Sequence, residues 1–149
     1  MIQSVIHVVA FLFVFAATHP VLAQPLNPSL NPSGIWLTEK SDAKVRVSRC
    51  GSGVCGIIVW LREPIDPATG KKQIDDKNEN ASLAKRPVIG INLFSGMKPS
   101  GVNRWSGRIY NADDGKSYDS NVTVVGPDSL KVEGCLGGLC GGETWTRSR

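Results

Sequence analysis

The strongest restriction on this chain is a period of two among its apolar residues. It shows in Val45/Val47, Ile57/Val59/Leu61, Ile89/Ile91/Leu93, Val122/Val124 and Leu130/Val132. Successive side chains of a strand point to opposite faces, so such a pattern gives a sheet one apolar face. Eight short runs read this way: Gly34–Glu39, Lys44–Cys50, Cys55–Leu61, Val88–Met97, Arg104–Asn111, Ser117–Val125, Leu130–Cys135 and Glu143–Arg147. Turn-forming clusters separate them, among them Ser41-Asp42, Gly51-Ser52-Gly53, Asp113-Asp114-Gly115 and Pro127-Asp128. No stretch holds a 3.6-residue period over three turns. The expected class is all-β, a small antiparallel up-and-down barrel of eight strands. Pairing the first strand with the last removes the exposed edges. An eight-stranded barrel is just wide enough to be filled by side chains or to hold one small ligand. Gly56, Gly90 and Gly107 fall inside expected strands, where sharp coiling needs them.

The first 33 residues do not share this pattern. Val5 to Ala17 is almost continuously apolar, Pro20 breaks it, and Val21-Leu22-Ala23 follows. This reads as a signal peptide over 1–23, too short in its apolar run for a membrane span. Residues 24–33 hold Pro25, Pro28 and Pro32, an extended leader. A single barrel domain over 34–149 is expected. Cleavage removes 23 of the 149 residues and leaves 126, with no membrane span. It also removes His7 and His19, the two histidines of the chain. Catalysis through histidine and histidine metal sites are then excluded. The expected location is periplasmic or secreted, where cysteines pair. Seventeen basic against thirteen acidic residues give +4, too small and too scattered an excess for nucleic-acid binding.

The four cysteines stand in two similar frames, Cys50-GSGV-Cys55 and Cys135-LGGL-Cys140, each bridging two expected strands. Hairpin neighbours bring Cβ atoms close to disulfide distance, which favours Cys50–Cys55 and Cys135–Cys140. Four cysteines allow three connectivities, and a four-cysteine zinc site is the alternative. Gly34, Trp36, Trp145 and Arg147 belong to the first and last strands. If the barrel closes, Arg147 lies over Trp36, a core plug at the barrel bottom. The long connection Arg62–Pro87 exceeds ordinary loop lengths. A helical turn or short helix is expected at Asn78–Lys85, covering one end of the barrel, with Asn78 or Asp76 as its cap. Asp76, Asn78 and Asn80 imitate a calcium loop, but Ala81 and Pro87 break that pattern. Asp119 and Glu133 alternate with apolar residues and are read as outward-facing. No nucleophile elbow, phosphate loop or dinucleotide fingerprint occurs.

Several of these pieces, in this order and spacing, form a resemblance. They are GIW at Gly34–Trp36, VRVSRCGSGVCGIIVWL at Val45–Leu61, Asp75 with Asn78, and RPVIG from Arg86. WSGRIYNADDGKSY at Trp105–Tyr118 and LKVEGCLGGLCGGETWTR at Leu130–Arg147 complete them. The region Gly34–Arg147 resembles the DUF2147 family of exported bacterial proteins. It departs from the family where Glu79 follows Asn78 and Ala112 follows Asn111, positions at which proline is common. The first-strand GxW with a late-strand Arg is also similar to lipocalin-like (calycin) barrels. The resemblance implies an exported β-barrel and supplies no catalytic residue.

The reading that follows is an exported small barrel that binds a small apolar ligand. The alternative is a non-enzymatic envelope module with a filled core that acts through protein contacts. An enzyme ranks third; no catalytic residue, cofactor or metal ligand is assigned. Asp75, Asn78 and Arg86 form the candidate loop site.

Overall fold

The computed structural model describes residues 30–149. The expected signal peptide and the first part of the leader lie outside them. Eight strands follow one another: β1 (Gly34–Leu37), β2 (Ala43–Cys50), β3 (Gly53–Leu61), β4 (Asn92–Gly101), β5 (Arg104–Asn111), β6 (Lys116–Gly126), β7 (Ser129–Leu136) and β8 (Leu139–Arg147). Each pairs antiparallel with the next, and β1 pairs with β8 through Trp36↔Arg147 and Leu37↔Thr146. The barrel is closed, as expected.

One end of the barrel is packed solid. Trp36, Val45, Val47, Val54, Phe94, Met97, Trp105, Val122, Val124, Leu130, Val132 and Trp145 form one buried cluster. Gly56 is what lets Phe94 into it, since a Cβ there would run into the Phe94 ring. The end of the leader seals this floor. Pro32 is buried, its carbonyl accepts the Trp36 indole N–H at 2.9 Å, and Leu30 packs on the cluster. The barrel's lower cap thus begins ahead of Gly34, the expected domain start.

Two expected strands shift. The fourth begins at Asn92, not Val88, because the Ile91 N–H turns back to the Val88 carbonyl and Gly90 takes φ 104°. Ile91 is still buried, while Ile89 stays exposed. Gly90 is therefore a turn residue and not a strand kink. The last strand begins at Leu139, not Glu143. Gly141 and Gly142 pair with Gly134 and Glu133, so cross-strand pairing outweighs the poor strand preference of glycine.

β3 is apolar on both faces, and a bulge decides its inner side. Val45 pairs with Ile58 and Lys44 with Trp60, which leaves Val59 as the extra residue. Val54, Gly56 and Ile58 are buried. Beyond the bulge Trp60 lies outside, with the Lys44 ammonium 5.3 Å from its ring.

No helix forms among the described residues. At Asn78–Lys85 the chain makes a single turn, with the Leu83 and Ala84 N–H groups on the Asn80 carbonyl. The Asn78 and Asn80 side chains take the N–H groups of Asn80 and Ser82, and Pro87 then disfavours helix at Arg86. Local side-chain bonds and a proline stop the turn from propagating.

Candidate functional site

Strand direction sorts the connections between two ends. The β2–β3, β4–β5 and β6–β7 turns join the sealed end. The β1–β2, β5–β6 and β7–β8 turns and the long β3–β4 connection ring the other. There a cavity of about 910 Å³ opens. Ile58, Leu61, Leu93, Ile109, Val132 and Trp145 supply its apolar walls. Its base is the top of the packed cluster, to which Val132 and Trp145 also belong. At the rim Leu136 and Leu139 line the mouth, 75% and 82% exposed.

β8 carries the key polar groups of both ends on one face: Glu143, Trp145 and Arg147. Two-residue spacing sends all three inward. At the sealed end the Arg147 guanidinium lies 4.2 Å from the Trp36 ring. It donates to the carbonyls of Pro127 (2.8 Å), Ser33 (2.8 Å) and Asn31 (2.9 Å). Gly34 leaves the room, since a Cβ there would strike the guanidinium. Trp145, expected only at the closure, does more: it lines the cavity and its indole N–H donates to Glu143. Glu143 itself lines the cavity and went unnoticed in the sequence. Its spacing from Trp145 and Arg147 was the available signal.

The candidate loop residues come together around Asp75 and are joined by Tyr110, which the sequence did not single out. Asp75 is 1% exposed. One carboxylate oxygen accepts the Tyr110 hydroxyl at 2.6 Å. The other accepts Asn78 Nδ2 (2.9 Å), Arg86 Nε (2.9 Å) and Arg86 Nη2 (2.8 Å). Arg86 also stands 5.3 Å from the Tyr110 ring. Burial, and secondly the bond to Asp75, hold the Tyr110 hydroxyl above the ordinary tyrosine range. Both oxygens are engaged by groups of this chain, so the cluster is a clasp. It pins the long connection to β5. The same contact needs Gly115, because a Cβ there would meet the Lys77 carbonyl. Nothing near Tyr110 in the sequence points at Asp75, 35 residues away.

Asp114 and Tyr118 form a smaller pair beside the mouth. The Tyr118 hydroxyl donates to Asp114 at 2.6 Å. That bond holds the Asp114 carboxyl below its usual range and raises the Tyr118 phenol.

The disulfides stand one at each end. Cys50 joins Cys55 (S–S 2.01 Å) at the sealed end, and Cys135 joins Cys140 (S–S 2.03 Å) at the open end. Four cysteines split between opposite ends cannot share a zinc ion. Asp119 is exposed, and Glu133 lies half-buried in an ion pair with Lys131 at 2.6 Å. Neither enters the cavity.

This barrel accounts for what the chain is similar to. Residues 34–147 match the model of a family described as "Uncharacterized protein conserved in bacteria". The chain belongs to the DUF2147 family. No curated protein sequence matches it. Among solved structures it is similar to a Helicobacter pylori protein described as belonging to the lipocalin family. That likeness has a TM-score of 0.66 at 20% identity, over 80% of this chain and 84% of the other. At this identity the likeness speaks for the fold, a lipocalin-like barrel. This DUF2147 chain has no helix among its described residues long and apolar enough to cross a membrane.

Proposed function

We propose that this protein holds a small ligand with an apolar body in the open half of its barrel. The observation that carries the reading is the cavity itself. Its roughly 910 Å³ lies within the range of small-molecule sites, with apolar walls below a charged rim. Below it the barrel is packed to the floor, so the ligand has one entrance. The filled-core alternative describes the sealed half and leaves the open half unexplained. Leu136 and Leu139, the most exposed apolar pair, belong to the mouth, where an apolar ligand passes.

We further propose that the protein acts outside the cytoplasm, in the periplasm or secreted. Two short disulfide rings agree with an oxidising compartment, and the apolar segment ahead of Ala23 agrees with export. The N-terminal sequence of protein recovered from cells tests this: Gln24 at its start is expected, and an intact Met1 would refute it.

The binding test is titration with N-phenyl-1-naphthylamine, read through its own emission and the quenching of tryptophan. A saturable one-to-one complex is expected. Ile109→Trp fills the cavity and should weaken the complex at least about tenfold, with little change in melting temperature. If the wild-type protein gives no saturable binding, the reading fails.

A further inference from the structure

We propose that the occupant is a cationic amphiphile, its apolar body in the barrel and an amine-type head against Glu143. The inference rests on the cavity being a ligand site, and it concerns what that site selects. Nine residues bearing Lys, Arg, Asp or Glu charge line the cavity, and eight of them stand in the rim connections. Glu143 alone stands on a strand, facing inward opposite Val132. It is half-buried between Trp145 and the Gly141-Gly142 pair.

The carboxylate is incompletely served. One oxygen accepts the Trp145 indole N–H, while the other makes no hydrogen bond within the described residues. No lysine or arginine among them reaches salt-bridge distance of it, whereas Asp75 and Glu133 each have such a partner. A carboxylate against apolar walls loses hydration that a ligand's ammonium would restore. The attraction also grows as water is displaced and the local dielectric falls.

One further observation favours the same sign of charge. Among the lining residues six are acidic (Asp42, Glu63, Asp76, Asp113, Asp114, Glu143) and three basic (Lys40, Arg62, Lys77). The mouth is therefore negative on a protein whose net charge is +4. A concave, low-dielectric site focuses such a field and draws cations to it. A ligand with a carboxylate head meets repulsion at the same place.

The test uses the folded protein and three probes of one chain length: dodecylammonium, dodecanol and dodecanoate. Each displaces N-phenyl-1-naphthylamine below its micelle concentration, at low salt. Dodecylammonium should bind about tenfold tighter than dodecanol, with dodecanoate weakest. Added salt should shrink the gap. Glu143→Gln should abolish the preference for the amine over dodecanol. Equal affinity for all three probes, or a preference that survives Glu143→Gln, overturns the inference and leaves the apolar cavity standing. If no probe binds, the ligand site itself is refuted. Should the variant fail to fold, the wild-type probe series and its salt dependence decide the matter alone.

Discussion

Arg147 and Glu143 stand four residues apart on the inward side of β8, and the barrel treats them oppositely. Arg147 meets three backbone carbonyls and the face of Trp36, so its charge is spent on structure. Glu143 meets one indole N–H and keeps a free oxygen over an open cavity. The same contrast runs through both ends. At the sealed end the inward side chains pack on one another, and even the leader is used as packing. At the open end walls of similar chemistry face space. One pole of the fold is thus satisfied by the chain itself, and the other is the pole to which the proposed function assigns selection.

The largest expected effect separates the two ends by truncation. Trp36→Ala at the sealed end should cost about 3–5 kcal/mol in urea unfolding. Ile109→Ala at the cavity wall should cost about 1 kcal/mol, since that side chain already lacks partners on one side. Equal costs would break the contrast between a packed and an open half.

The clasp comes next, because it decides how firmly the long connection borders the mouth. Asp75→Ala leaves Arg86, Asn78 and Tyr110 without their common acceptor. A loss of about 3 kcal/mol is expected, as when one member of a buried pair is removed. Hydrogen exchange should quicken in residues 62–91 ahead of the strands. Uniform exchange throughout the barrel would show that the clasp is not local.

Removing either disulfide should cost about 2 kcal/mol in the chain-entropy description, because the two rings are equal in length. Their effects on binding should differ. Serine at Cys135 and Cys140 should weaken N-phenyl-1-naphthylamine binding, while serine at Cys50 and Cys55 should spare it. Titration through melting curves and probe affinity checks both halves of this statement.

The smallest effect is in titration. Tyr110 and Tyr118, the two tyrosines of the chain, are both raised above 10.0 in the folded state. Their contribution to stability is present in full below the unfolded value and is lost as pH rises through the folded ones. Tyrosinate absorbance of the native protein should therefore lag that of the unfolded protein near pH 10. Asp114 is lowered, so its contribution is present above 3.8 and lost as pH falls through the folded value. Coincident native and unfolded tyrosine curves would remove both hydroxyl–carboxylate bonds from the account.

Much of this architecture was legible beforehand because strand formation is a local property. Period-two alternation announced the sheet, and tight turn sequences announced hairpins. Paired cysteines across two of those hairpins then needed no long-range information. Closure through Gly34, Trp36 and Arg147 was readable as one way for a first and a last strand to bury their edges. The errors fell where local preference lost to distant contacts. Glycines at Gly141 and Gly142 hid the start of β8, and Ile89 continued an alternation that the chain had already abandoned for a turn.

By itself, then, the sequence determined an all-β chain of short antiparallel strands, favoured two cysteine-bridged turns among three possible pairings, and brought Trp36 and Arg147 together on condition of closure. Only the tertiary structure decided that the interior divides into a packed half and a cavity. Which side chains meet across a barrel depends on register, and the bulge at Val59 and the loss of strand at Ile89 set that register. The meeting of Asp75 with Tyr110, and the solitude of Glu143, are likewise facts of three dimensions. A carboxylate's worth depends on what stands within a few ångströms of it, and spacing along a chain does not carry that distance.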